Sequence, residues 1–366
     1  MWEFVRGIFA AAEKGPRDLV GTFAAMSVTL DILDTGPFGE VLSNVASALE
    51  SIRADGDDSM GQVAVMSTTE FDVEVGRLQR EIASERGSAG LPVFTPERLG
   101  GIVAGKTLAR ALDYQDVTIV LNGNLIDWSN PQGQVSGLAI LAHELGHVAI
   151  GRARYASGVL EGEPPPPSVT GTEAARSLAR ITCDEFRADL IATSALGTAA
   201  SVPLDDGSTR PATIYDLVGS RHSDCLRDVL AEEVYPGWPD TVDAYRTYQI
   251  DLEELIRRIT LSTESVLSIV AHAEAHAFAG RVDRPLQANS ELRGAELYVA
   301  PAWDRLLAIL ARRPPVPTTL SEVRALEDHI ASEGTAAILQ MWKRLGLTVE
   351  EHGNRRWAMR VSEPMR

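Results

Sequence analysis

The chain has 366 residues, 45% of them hydrophobic and 6% aromatic, which allows two domains and excludes wholesale disorder. With 51 acidic against 34 basic residues the formal charge is −17, a field that repels phosphate backbones and makes nucleic acid an unlikely partner. Two cysteines, Cys183 and Cys225, exclude a disulfide framework and point to a reduced, cytoplasmic setting.

In chain order, apolar helical patterns run from Trp2 to Ile52, broken at Gly15-Pro16 and Gly36-Pro37. The apolar stretch Leu19 to Leu33 carries Asp31 and is too short to span a bilayer, so no membrane segment is expected. Ala54 to Ser59 reads as a loop, Gln62 to Met66 as a short strand and Phe71 to Ser84 as a helix. Thr95-Pro96-Glu97 resembles a helix start with proline in the first turn. Val117 to Leu121 is the clearest strand. Two long helices follow, Val135 to Arg152 and Thr172 to Leu196, separated by a loop holding four consecutive prolines and closed by Gly197 as a cap. Beyond Ser201 the patterns are mostly helical, with one long helix from Val242 to Ala279. The chain closes on two helices and two short strands around His352-Gly353-Asn354.

The first long helix contains the segment HELGH, a match to His-Glu-x-x-His. Residues four apart share a helix face, so His143 and His147 can present two imidazoles to one ion. At about 100° per residue, Leu138, Leu141, Leu145 and Val148 form an apolar stripe opposite the histidines, with Glu144 between the two faces. Glu144 is then the expected general base, because a carboxylate beside a metal-activated water can take its proton. A catalytic site needs a third protein ligand. Glu185 on the next helix is the candidate, and Asp189, one turn on, is placed to accept the free N–H of a ligand histidine. Asp184 points about 100° away from Glu185 and is the weaker choice. The implied cofactor is Zn2+.

HELGH followed by Glu185-Phe-Arg-Ala188-Asp189-Leu-Ile-Ala192 resembles the gluzincin arrangement. Within that group the segment from Val117 to Gly197 is similar to ImmA/IrrE-like metallopeptidases, soluble bacterial enzymes that cleave regulators such as repressors. It also resembles HtpX-like minigluzincins and the Lit phage-exclusion peptidase. The resemblance implies an α+β, zincin-like fold, mostly helical with a small sheet, in which an edge strand aligns an extended peptide. The patterns along the chain divide it into an N-terminal helical region over 1–58, a zincin-like catalytic domain over 59–200 and a helical C-terminal region over 201–366.

Other groups have plainer readings. His272 and His276 are four apart but lack a base at the right position, since Glu274 lies on the far side of their helix, so they read as packed or surface histidines. His222, Tyr155 and Tyr215 are candidates for stabilising an oxyanion, and the residues do not choose among them. Cys183 reads as a small buried residue. The closing hairpin could be the wing of a winged-helix unit carrying Arg355, Arg356 and Arg360, although three hairpin arginines are more often a solvated edge. The sequence therefore predicts a zinc endopeptidase acting on a protein or peptide substrate. The alternative is a non-catalytic, metal-bound sensor or scaffold that binds a partner through its C-terminal half.

Overall fold

Strand Asp116–Asn122 is buried at every position after the first, as a strand covered on both faces must be. It is β6 of a four-stranded sheet ordered β1-β2-β6-β5, with β1 Val28–Ile32, β2 Gly61–Thr68 and β5 Gly105–Ala109. The computed structural model describes residues 28–32, 61–85, 97–98, 101–102, 104–127, 129, 131–159, 171–197, 201–203, 207–211, 216, 222–280, 283–311, 319–352 and 356–366. In this sheet β1, β2 and β6 run parallel, with Val63 beside Val117 and Val65 beside Ile119. The edge strand β5 runs antiparallel to β6, with Thr107 opposite Ile119.

The pleat assigns the two faces. Leu108 and Val120 join the buried stripe Phe71, Val75, Leu78 and Ile82 of helix α1, Phe71–Glu85. Gly105 and Thr107 point the other way, towards helix α2, Pro131–Ala156. Helix α3, Gly171–Gly197, follows.

The chain divides into two compact units, Met1–Glu161 with Arg187–Ser220, and Gly162–Phe186 with Arg221–Arg366. The boundary falls inside α3, which is continuous across it.

The second unit is mostly helical. Its long helix, Leu252–Gly280, is lined with Val266, Leu267, Val270 and Ala271, all fully buried. The same helix buries polar groups, and three indoles satisfy them. Trp238 Nε1 donates to Ser262 Oγ at 2.6 Å, Trp342 Nε1 to Thr263 Oγ1 at 3.2 Å and Trp303 Nε1 to Glu274 Oε2 at 3.1 Å. Glu274, 2% exposed, also accepts from Arg284 Nε at 2.6 Å and from the Leu286 amide at 2.9 Å. Helix Leu320–His329 starts with a capping box, Thr319 and Glu322 each accepting the other's amide. Helix Thr335–Arg344 then leads into the antiparallel hairpin Leu347–His352 and Arg356–Val361.

The expected strands at Gln62–Met66 and Val117–Leu121 are present, as are the helix from Phe71, the two long helices and the closing hairpin. Four expectations are corrected. Val28–Ile32, inside the region expected to be helical, is a strand, because its alternating apolar residues complete a ladder with β2. The rest of the 1–58 helical region lies outside the described residues. Glu97 does not begin a helix: β3, Glu97–Arg98, pairs antiparallel with β4, Gly101–Ile102. Just past Ser201 a small hairpin, Ser201–Pro203 with Thr209–Pro211, stands where helix was expected. The expected helix from Val242 to Ala279 is two, Trp238–Arg246 and Leu252–Gly280, parted at Tyr248, whose φ of 61° no helix accommodates. Among the described residues, no helix is long and apolar enough to cross a membrane.

Removing the Glu274 carboxylate strands two buried N–H donors and a guanidinium. Glu274→Ala is expected to destabilise the second unit by about 3 kcal/mol or more, read as a lowered urea midpoint with native circular dichroism at zero urea. An unchanged midpoint would contradict the assigned brace.

Candidate metal centre

Leu138, Leu141, Leu145 and Val148 are buried along one side of α2, while His143 and His147 are half-buried on the other. Helix α3 approaches α2 closely where both carry small residues. A Cβ added at Gly146 would lie 2.9 Å from the Ala188 Cα, so no larger residue fits there without displacing backbone.

That close approach brings Asp189 to the first histidine. His143 Nδ1 lies 2.7 Å from Asp189 Oδ1, and Asp189 is 2% exposed. A buried carboxylate accepts, so His143 carries its proton on Nδ1 and leaves a lone pair on Nε2. This Nε2 stands 3.0 Å from His147 Nε2, with the rings edge to face at 85°. Two nitrogens about 2.05 Å from one tetrahedral zinc are about 3.3 Å apart. The observed separation is within a few tenths of an ångström of that span, so the pair fits a shared ion.

The helical spacing of α3 puts Glu185 one turn before Asp189. Two imidazoles and a carboxylate are a donor set that zinc takes. Glu185 and its neighbour Asp184 are both half-buried on α3.

Glu144 is 6% exposed, more buried than a position between two faces implies. It packs against β5. Thr107 Oγ1 donates to Glu144 Oε2 at 2.6 Å, or to the Glu144 carbonyl at 3.1 Å. A Cβ at Gly105 would lie 2.8 Å from Glu144 Oε1, so glycine leaves room at the oxygen that Thr107 does not hold. Thr107 and Gly105 escaped the sequence reading because the five-residue segment GKTLA carries a weak strand signal.

His272 Nε2 lies 3.7 Å from Glu185 Oε2, and both side chains are about one fifth exposed, at 23% and 22%. Its only signal in the sequence was the helical spacing to His276.

Of the oxyanion candidates, Tyr155 is 47% exposed and eight residues past His147, about 12 Å along the helix axis. Tyr215 and the side chain of His222 lie outside the described residues. Cys183 is fully buried, as expected. Arg360 pairs with Glu350 at 2.8 Å, which fits a solvated hairpin edge, whereas Arg355 and the side chain of Arg356 lie outside the described residues.

Comparison with protein-family models, with curated proteins and with solved structures found no match.

The hydrogen bond to Asp189 dictates one tautomer. In metal-stripped protein, nitrogen NMR should find His143 protonated on Nδ1, and Asp189→Ala should shift the population towards Nε2–H. A wild-type ring already protonated mainly on Nε2 would sink this assignment.

Proposed function

We propose that the chain is a zinc-dependent endopeptidase, ImmA/IrrE-like and of gluzincin type, that hydrolyses peptide bonds of a specific cytoplasmic protein. The observation that carries this reading is the convergence of His143 Nε2 and His147 Nε2 at 3.0 Å with Asp189 oriented behind one of them. In the absence of an ion the two nitrogens share a hydrogen bond, and the same 3.0 Å spacing suits two ligands of one metal.

His143, His147 and Glu185 would hold the zinc. When bound, zinc lowers the pKa of a water towards about 7 and polarises a carbonyl. Glu144 is the proton carrier. Its Oε2 is occupied by the Thr107 hydroxyl, so Oε1 takes the proton and returns it to the leaving amine. Asp189 keeps His143 in the ligating tautomer. The presence of Glu144 supports catalysis over a structural role, since a structural site needs no base and is closed by four protein ligands.

The zincin-like reading of the fold has its own support. β5 is an antiparallel edge strand beside the histidine helix, and among the described residues no strand pairs with its outer edge. An extended peptide can add there through main-chain hydrogen bonds, which places its backbone beside Glu144. Limited proteolysis of a regulator, in stress response or phage–host conflict, is the role that fits the resemblance.

Glu144→Gln should retain zinc and lose cleavage of candidate proteins from a matched lysate by a factor of about 10²–10⁴. Glu185→Ala should lose the metal, measured by elemental analysis of purified protein. Full retention of zinc by Glu185→Ala would remove it from the ligand set. If wild type and Glu144→Gln both hold zinc and neither cleaves, the non-catalytic sensor or scaffold replaces the peptidase.

A further inference from the structure

Two residues of β5, Gly105 and Thr107, meet the Glu144 carboxylate on the α2 side of the sheet. Lys106, between them, belongs to the other face. In the ladder it stands opposite Val120, which packs with Leu108 on α1. Lys106 is half-buried, and among the described residues its ammonium makes no ion pair and no hydrogen bond. Carboxylates are not scarce in a chain with 51 acidic residues against 34 basic ones. Those of α1 are engaged with arginines: Glu74 and Glu81 pair with Arg77, and Glu81 and Glu85 with Arg110.

Among the described residues β5 is the edge of its sheet. A lysine on an edge strand discourages edge-to-edge pairing of whole proteins, a role that any place along the strand would serve. Position 106 is more particular, because the residues on both sides of it touch Glu144. A peptide added to β5 sets one side chain directly opposite Lys106 on the α1 face, with Cβ atoms about 5 Å apart. That side chain lies within about one residue of the bond that Glu144 reaches.

We propose that Lys106 is a specificity-determining residue, selecting peptides that carry Asp or Glu at the position paired with it on the outer edge of β5. This rests on the reading of the chain as a peptidase that takes its substrate as an added strand. A basic residue at that position is disfavoured, since like charges directly opposite destabilise a strand pair. The net charge of −17 opposes a polyacidic segment, so the substrate is a neutral or basic stretch with one acid beside the cut.

The test incubates full-length, zinc-loaded protein with a library of synthetic decapeptides and reads the products by mass spectrometry. Wild type is expected to favour Glu over Gln about two- to fivefold at one position next to the cut. Lys106→Gln should level that preference, and Lys106→Glu should turn it towards Lys and Arg. Raising the salt to about 0.5 M should weaken the preference, because a half-exposed ion pair is screened. As a readout without cleavage, immobilised Glu144→Gln protein should retain the same acidic peptides and lose them when Lys106→Glu is added. Cleavage indifferent to charge, or an acidic preference that survives in Lys106→Glu, would overturn the proposal. Should Lys106→Glu fail to fold, Lys106→Gln decides, since an acidic preference that it keeps does not come from the ammonium. Neither cleavage by wild type nor retention by Glu144→Gln would instead remove the peptidase reading on which the proposal stands.

Discussion

The 2.7 Å contact between His143 Nδ1 and Asp189 Oδ1 is the constraint on which the candidate site depends. It does two things at once. It sets the tautomer of one imidazole, and it ties the HELGH helix to the helix that carries the third acidic candidate. The contact is possible only because the two backbones come close. Gly146 lies within the ligand motif itself and meets Ala188 of the EFRAD segment, and a side chain at 146 would press on the Ala188 backbone. Gly146 directly precedes His147 and Ala188 directly precedes Asp189, so packing and site geometry are set by the same turns.

The sheet supplies the other half of the environment. Its edge strand runs opposite to its neighbours and lays Gly105 and Thr107 against Glu144. One carboxylate oxygen is held by a hydroxyl and the other is left room by a missing side chain. That asymmetry is what a proton carrier requires: one oxygen fixes the rotamer while the other is available for exchange. In the second unit the same logic of satisfied burial is structural. Three indole N–H groups meet Ser262, Thr263 and Glu274 along one helix, which lets a long buried helix keep polar residues in its core.

Part of this was legible in the sequence for a definite reason. Helical spacing is a local property, so the i, i+4 relations of His143 with His147 and of Glu185 with Asp189 could be read directly, as could the leucine stripe opposite them. Strands with dense apolar content, such as Val117 to Leu121, were equally clear. Short strands were not. Val28–Ile32 looked helical by its apolar density, and GKTLA looked like nothing in particular, because each is a strand by virtue of the partner it pairs with. The split between Trp238–Arg246 and Leu252–Gly280 was hidden for a related reason, since the backbone turn at Tyr248 has no glycine or proline to mark it.

The sequence by itself determined which side chains share a face of each helix, and therefore which groups are available to a metal and which one to a proton. Only the tertiary structure decided what stands opposite those faces. Thr107 and Gly105 at the base, Asp189 behind His143, and His272 beside Glu185 come from segments 37 to 87 residues away, counted from Glu144, His143 and Glu185 respectively. Contacts across such separations depend on how strands and helices pack, and no local spacing encodes them.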